Sequence, residues 1–248
     1  MEKMLKKRKF GLIGKDISYS FSRHYFTKKF KELNLVNHEY GNFDFQNIKE
    51  FSEINLKGVS GFNVTIPYKE KIITYLDRID GVAQEIGAVN TIKITNDHKL
   101  IGFNTDYYGF QESIKPWIKS HHKNALVLGT GGASKAILYV LKKLNIEYTV
   151  VSRTPVAGQI SYDQITEEVM RDYTVIVNST PLGTFPDVDK CPNIPYEYLT
   201  DKHLLFDLIY NPDKTTFLAK GEQKGAKIVN GSKMLELQAE KAWEIWNL

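Results

Sequence analysis

Ala125-Leu126-Val127-Leu128-Gly129-Thr130-Gly131-Gly132-Ala133-Ser134-Lys135 is the stretch on which the fold class of this chain turns. Four apolar residues are too few for a helix of their own, and they run straight into a glycine cluster. A helical pattern then covers Lys135 to Leu144. A short buried strand that turns sharply into a helix is how a dinucleotide-binding βαβ unit opens. Glycines let the backbone turn tightly and come close to a pyrophosphate, and the helix N-terminus offers free N–H groups and positive potential. Ser134 stands where the third glycine of the usual fingerprint falls. Any tight strand-to-helix turn can use glycine; the strand before and the helix after make Gly129, Gly131, Gly132, Ala133 and Ser134 candidate cofactor contacts.

Downstream, Tyr148 to Val151 forms the next strand. NAD-binding folds place an acid at its end, about 20 residues past the first glycine, for the ribose hydroxyls. Here the end reads Ser152-Arg153-Thr154, with no acid. An arginine can stack on adenine and pair with a 2′-phosphate, which favours NADP; an ordinary surface arginine is the alternative. Val175 to Val177, Leu204 to Leu208 and Lys227 to Val229 supply further strands. The segment from Pro181 to Pro195 carries Pro181, Pro186, Pro192 and Pro195 and is expected to be irregular. Strands separated by helices imply a parallel sheet with right-handed crossovers, the α/β class.

Upstream, Phe10 to Ile13 reads as a buried strand. A helix follows from about Phe21 to Leu33, with Phe26, Phe30 and Leu33 on one face. Gly58 to Thr65 is a second strand and Tyr68 to Leu76 a second helix. Val89 to Ile94 and Leu100 to Phe103 flank the turn formers Asn96 and Asp97, a hairpin pattern. The hairpin ends near Asp106 and a fresh βαβ unit starts soon after, so a domain boundary is expected there. The last helix, Met234 to Trp246, is amphipathic, but periodicity does not say which half it packs on.

Composition excludes several function classes. At 248 residues, 42% hydrophobic and 25% charged, the chain is an ordinary globular protein rather than a fibre or a disordered tail. The net charge of +4 is concentrated at the start, where Lys3, Lys6, Lys7, Arg8 and Lys9 face only Glu2. The remaining chain balances, 28 basic residues against 28 acidic. The basic start therefore reads as a solvated end, and no nucleic-acid partner is expected. The single cysteine, Cys191, allows no internal disulfide and has no histidine or second cysteine nearby, so no metal site is indicated. Phe10 to Ile13 is too short for a signal-peptide core or a membrane span. A soluble, cytoplasmic protein without a membrane partner is expected, acting as a monomer or homodimer.

Polar clusters stand at element ends, where α/β proteins build ligand sites. These are Ser20-Phe21-Ser22, Asn63-Val64-Thr65-Ile66-Pro67-Tyr68-Lys69, Gly87-Ala88-Val89-Asn90-Thr91 and Gly102-Phe103-Asn104-Thr105-Asp106. Singly, each has a plain explanation. A serine before a helix most often caps it, Lys69 could be a solvated lysine, and Asp106 could cap the following helix.

As a set the clusters resemble the shikimate dehydrogenase family, whose signatures occur in order over nearly the whole chain. After the Gly129 turn and Arg153 come Asn178-Ser179-Thr180-Pro181-Leu182-Gly183 and Asp207-Leu208-Ile209-Tyr210-Asn211-Pro212. Gly231-Ser232-Lys233-Met234-Leu235-Glu236-Leu237-Gln238-Ala239 closes the series. The resemblance implies two α/β domains separated by a cleft. One is a mixed-sheet substrate domain, residues 1–106 plus 232–248, and the other a Rossmann-like parallel-sheet NADP domain, residues 107–231. It implies reversible, NADPH-dependent reduction of 3-dehydroshikimate to shikimate, a small-molecule step of aromatic amino-acid biosynthesis. Lys69 and Asp106 would be the catalytic pair, with Lys69 either the proton donor or mainly an electrostatic anchor. Ser20, Ser22 and Tyr210 would meet the substrate carboxylate, and Thr65, Asn90 and Gln238 its ring hydroxyls. Ser152, Arg153 and Thr154 would serve the adenine end of the cofactor. Asn178 and Thr180 would face the cofactor, and Gly231 would lie near the nicotinamide. Two alternatives remain: a relative that oxidises quinate with NAD, and a shikimate-binding module without turnover.

The chain departs from the family pattern in places. The family often has Pro, His and Pro where this chain has Asp16, Tyr19 and Arg23, which bears on the stiffness of the loop before Ser20. A second basic residue often follows the arginine of the adenine site, and Pro155 to Gln159 offers none.

Overall fold

The computed structural model describes residues 7–18 and 20–248. Lys3, Lys6 and Tyr19 lie outside the described residues. The chain divides into two compact units. Met1–Thr105 with Gln238–Leu248 form the first, and Asp106–Leu237 the second.

The first unit is built on strands β1 (Arg8–Gly14), β2 (His38–Asp44), β3 (Val59–Val64), β4 (Arg78–Ile79), β5 (Thr91–Ile94) and β6 (Leu100–Phe103). Among the described residues they form one sheet in the order β2-β1-β3-β5-β6-β4. β1 runs parallel to both neighbours, while β3, β5 and β6 pair antiparallel, so the sheet is mixed. The expected hairpin is present, with Ile94 opposite Leu100. Side chains alternate across each strand. Phe10 and Leu12 therefore join Phe26, Phe30, Ala239, Ala242 and Trp246 on one face, and Ile13 joins Phe62, Val64 and Ile72 on the other. The first face is covered by α1 (Phe21–Glu32), whose Phe26 and Phe30 are its buried pair.

Two elements were not expected and one expectation changes. β2 was not legible, because His38-Glu39-Tyr40-Gly41-Asn42-Phe43-Asp44 has almost no apolar run; it joins the sheet through its backbone register with β1. A short helix, α2 (Gly81–Ile86), precedes the hairpin and ends at Gly87, whose φ of 72° only glycine adopts freely. The expected helix from Tyr68 to Leu76 is only a 3-10 turn over Lys71–Tyr75. The chain there is caught between a turn closed by Tyr68 N–H on Thr65 O, 2.9 Å, and the start of β4. Asp77, bonded to Lys99 and to the Leu100 amide, draws the segment into β6 before an α-helix can form.

The described part of the basic start, residues 7–9, is not a solvated end. Lys7 and Lys9 pair with Glu39, and Arg8 opens β1. The Arg8 guanidinium donates to Ser60, Asn247 and the Trp246 carbonyl.

The second unit begins with α3 (Asp106–Ile114) and carries β7 (Asn124–Leu128), α4 (Gly132–Lys143), β8 (Glu147–Val151), β9 (Gln159–Ile160), α5 (Glu167–Asp172), β10 (Val175–Asn178), β11 (Leu204–Asp207), α6 (Thr216–Gln223) and β12 (Lys227–Val229). Its strands are ordered β12-β11-β10-β7-β8-β9, every pair parallel. Counted from β7 this is the 3-2-1-4-5-6 order of a dinucleotide-binding sheet. Parallel sheets are covered on both faces. Ala125, Val127, Val175 and Val177 accordingly meet Phe110, Ile137, Val140 and Leu141 on one side, while Leu126, Leu128 and Ile176 meet Met170, Phe217 and Leu218 on the other.

The last helix, α7 (Ser232–Asn247), settles what periodicity left open. Its Met234 belongs to the core of the second unit, and its Ala239, Ala242 and Trp246 to the core of the first.

Candidate functional site

In the first unit, Ser20 is the N-cap of α1 and accepts from the Arg23 amide at 3.1 Å. Capping occupies one lone pair of the hydroxyl and leaves its proton free to donate. Ser22 lies in the first turn of the same helix, half-buried and beside Tyr40. Burial drives the Tyr40 phenol well above its ordinary range, so it stays protonated.

Thr65 leaves β3 with its amide on Ile13 O at 2.8 Å. It lines an open cavity of about 420 Å³ with Lys15, Asp16, Ile17, Ile66 and Pro67. Four residues on, Lys69 is half-buried in a turn rather than on a helix, and its carbonyl accepts from the Val89 amide at 2.7 Å. That bond ties the lysine to the segment holding Asn90.

Asn90, 5% exposed, is largely spent on the protein. Its Oδ1 accepts from the Thr105 amide at 2.6 Å and from the Thr91 and Thr105 hydroxyls at 3.2 Å each, and its Nδ2 donates to Thr105 Oγ1 at 3.0 Å. One Nδ2 proton remains for a ligand. Asn63 extends this network. Its Nδ2 donates to Thr91 Oγ1 at 3.2 Å and its Oδ1 accepts from Tyr40 at 2.8 Å. The result is a buried chain of polar groups from Tyr40 through Asn63, Thr91 and Asn90 to Thr105, the residue before Asp106. Asn63 and Tyr40 were not singled out as site residues from sequence. The usable signal was Asn63 itself, a carboxamide one position before the end of β3. Gln238 is half-buried on α7.

In the second unit, Asp106 is the first residue of α3 and only 2% exposed. A helix N-terminus favours a carboxylate there. The Gly129 turn has the form its sequence implies. Gly129 adopts a φ of 106°, and a Cβ on it would stand 3.0 Å from Ser179 Oγ and 3.1 Å from Thr180 Cγ2. Gly131 is the N-cap of α4 and supplies no side-chain cap, and a Cβ placed on it would meet only open space. The first-turn amides of α4 therefore have no capping side chain and face room for an anion. Ser134 donates to Gly131 O at 2.6 Å, so it stiffens the turn with its hydroxyl.

At the end of β8, Ser152 is buried and accepts from the Thr154 amide at 3.2 Å, while Arg153 and Thr154 are exposed. An uncapped helix N-terminus beside a strand end that carries arginine and no acid fits a 2′-phosphorylated dinucleotide.

Asn178 ends β10 and Thr180 follows it. The Thr180 hydroxyl donates to Asn178 Oδ1 at 2.6 Å, and Asn178 Nδ2 donates to Asp207 Oδ1 at 3.0 Å. Asp207, fully buried, also accepts from the Ile209 amide at 3.1 Å and the Thr215 hydroxyl at 2.6 Å. Burial pushes its carboxyl up to about 6, against the pull of those three donors. Asp207 is a further residue that sequence reasoning did not assign, although an acid closing the apolar run Leu204-Leu205-Phe206 was a signal. Tyr210 stands exposed beyond β11. Gly231 turns into α7 with its Cα against Leu208, where an added Cβ would strike the Leu208 carbonyl. Among the described residues no group of three or more His, Cys, Asp or Glu side chains could hold a metal ion, and no helix is long and apolar enough to cross a membrane.

Comparison with known proteins agrees with this geometry. Residues 12–92 match the family model for the shikimate dehydrogenase substrate binding domain. A shikimate dehydrogenase (NADP(+)) from Methanococcus vannielii is 36% identical over 258 aligned positions, covering 95% of this chain and 90% of the relative. One from Clostridium botulinum is 37% identical over 249 positions and covers 96% of each chain. The crystal structure of a shikimate 5-dehydrogenase from Thermus thermophilus, in complex with NADP(H) and shikimate, superposes with a TM-score of 0.83 at 30% identity. That match covers 96% of this chain and 92% of the other. With such relatives along nearly its whole length, the chain belongs to the shikimate dehydrogenase family.

Proposed function

We propose that the chain is an NADP-dependent shikimate dehydrogenase that interconverts 3-dehydroshikimate and shikimate, with Lys69 and Asp106 as its catalytic residues. The observation that carries the assignment is the polar chain ending at Thr105: Asn90 holds the residue before a buried Asp106, and Lys69 is tied by its carbonyl to the same segment. NADPH supplies the hydride for ketone reduction. The Lys69 ammonium stabilises the negative charge that grows on the carbonyl oxygen and delivers its proton. Asp106 accepts a hydrogen bond from the reacting hydroxyl. Ser20 and Ser22 hydroxyls, with Tyr210, donate to the carboxylate. Thr65, the remaining Asn90 amide proton and Gln238 bond the ring hydroxyls.

In this reading the first unit binds shikimate, supported by the match of residues 12–92 to a substrate binding domain. The second unit holds NADP. Gly129, Gly131, Gly132, Ala133 and Ser134 form the pyrophosphate turn, with Ser152, Arg153 and Thr154 at the 2′-phosphate. Asn178, Thr180 and Gly231 lie at the nicotinamide end. A cytoplasmic biosynthetic role fits this chemistry.

Initial rates measured with shikimate or quinate, each with NADP+ or NAD+, test the assignment. Fastest turnover is expected with shikimate and NADP+. An absence of hydride transfer, or a preference for quinate with NAD+, overturns it.

A further inference from the structure

The loop between β1 and α1 is the part of the chain that departs most from the family pattern, with Asp16 where proline is common. Asp16 has a φ of 56°, which a proline ring cannot adopt. Its amide donates to Asp44 Oδ1 at 2.8 Å, and the next amide, of Ile17, donates to Asp44 Oδ2 at 3.2 Å. Asn42 Nδ2 donates to the Ile17 carbonyl at 2.9 Å. Asp44 and Asn42 both come from β2, so the strand end grips the loop at three backbone atoms.

The grip has a direct consequence for the cavity. The methyl groups of Ile17 and Thr65 close over Gly14, where a Cβ would stand 2.6 Å from Ile17 Cγ2 and 2.5 Å from Thr65 Cγ2. Fixing the Ile17 backbone therefore fixes the surface against which Thr65 packs. It also sets the wall of the cavity that Lys15, Asp16, Ile17 and Thr65 share. An ionised carboxylate that accepts two successive amides holds a loop in one geometry more firmly than a neutral acceptor.

We propose that Asp44 is a positioning residue for substrate binding: it straps residues 16 and 17 so that Thr65 is set before shikimate arrives. The strap takes the place of a stiffening proline at residue 16, since a proline there has no N–H to donate. This inference rests on the shikimate dehydrogenase reading above.

The test is steady-state kinetics of the full-length wild type, Asp44→Ala, Asp44→Asn and Asp16→Pro, with shikimate and NADP+ varied in turn and thermal unfolding measured alongside. Asp44→Ala is expected to raise KM for shikimate about tenfold, as misplacement of binding groups does. Its kcat should stay within about twofold and KM for NADP+ should not change. Asp44→Asn keeps one carbonyl acceptor and should fall between Asp44→Ala and wild type. Asp16→Pro should match Asp44→Ala. If the wild type turns over shikimate but Asp44→Ala and Asp44→Asn leave its KM unchanged, or move kcat and both KM values together, the strap is overturned and the functional reading stands. A wild type without activity on shikimate overturns both.

Discussion

Lys69 is held by backbone rather than by a helix, its carbonyl on the Val89 amide and its side chain half-buried. In the proposed function its charge acts on the reacting carbonyl oxygen. Replacing it with alanine should therefore lower kcat by about 10²–10⁴-fold, the usual worth of a positioned acid. NADP+ affinity and the unfolding midpoint should move little, which stopped assays and thermal denaturation would check together. In the same proposal Arg153 serves the cofactor end. It is exposed, and no second basic residue follows it up to Gln159, so the 2′-phosphate would depend on one guanidinium. Arg153→Ala should raise KM for NADP+ about tenfold or more, the worth of a charge-assisted pair, and leave KM for NAD+ nearly unchanged. Both residues were singled out in sequence from their motifs. Asn63, Asp207 and Asp44 were not assigned, because each acts by bonding a group that is distant in sequence.

At the scale of elements, α7 is pinned to the first sheet through its far end. Trp246 Nε1 donates to Ile92 O at 3.0 Å, and its ring lies against Phe10 and Phe26 with centroids 4.7 and 5.1 Å apart. Tyr25 and Lys29 of α1 bond Glu240 of the same helix. Gly61 on β3 makes the close approach possible, since a Cβ there would collide with the indole and stand 2.6 Å from the Ile92 carbonyl. Gly61→Ala should thus cost about 1–3 kcal/mol, the range for overpacking a filled core, read from urea unfolding. Trp246→Ala should cost about 3–5 kcal/mol by leaving a cavity. The amphipathic pattern of α7 was plain from sequence. Its partner was not, because a periodic stripe states that a face is buried and not against what.

At the scale of the whole molecule, pH dependence follows from buried groups of the second unit. His122 Nδ1 accepts from the Lys119 amide at 3.0 Å and its Nε2 meets Lys202 O at 3.1 Å. His203 bonds the Thr200 amide and Met170 O in the same manner, at 3.0 and 2.9 Å. Burial lowers the pKa of both, and for His122 the neighbouring His121 and Lys119 lower it further. A depressed folded-state pKa means that the unfolded chain binds more protons, so stability falls as pH drops below about 6.5. Asp207 acts with the opposite sign. Its carboxyl is raised to about 6, and it gains stability as pH falls through that value. Above about pH 6 the loss from the buried histidines sets the slope, and below that value Asp207 opposes it. Urea midpoints between about pH 7.5 and 5 should show that slope, and the double variant His122→Gln, His203→Gln should flatten it.

What the sequence determined by itself was everything that depends on neighbours along the chain. This covers the α/β class, the glycine turn before α4, the hairpin of β5 and β6, and the residue types of the candidate site. Each is a local pattern of burial, turn chemistry or motif spacing. The tertiary structure alone decided what depends on partners far apart in sequence. β2 is a strand because β1 offers it a register. The segment after Tyr68 is a 3-10 turn because Asp77 is drawn to β6. Asn90 serves Thr105 because the hairpin brings them together. Backbone hydrogen bonding and burial are satisfied in three dimensions, and a one-dimensional pattern names the groups that need a partner without naming the partner.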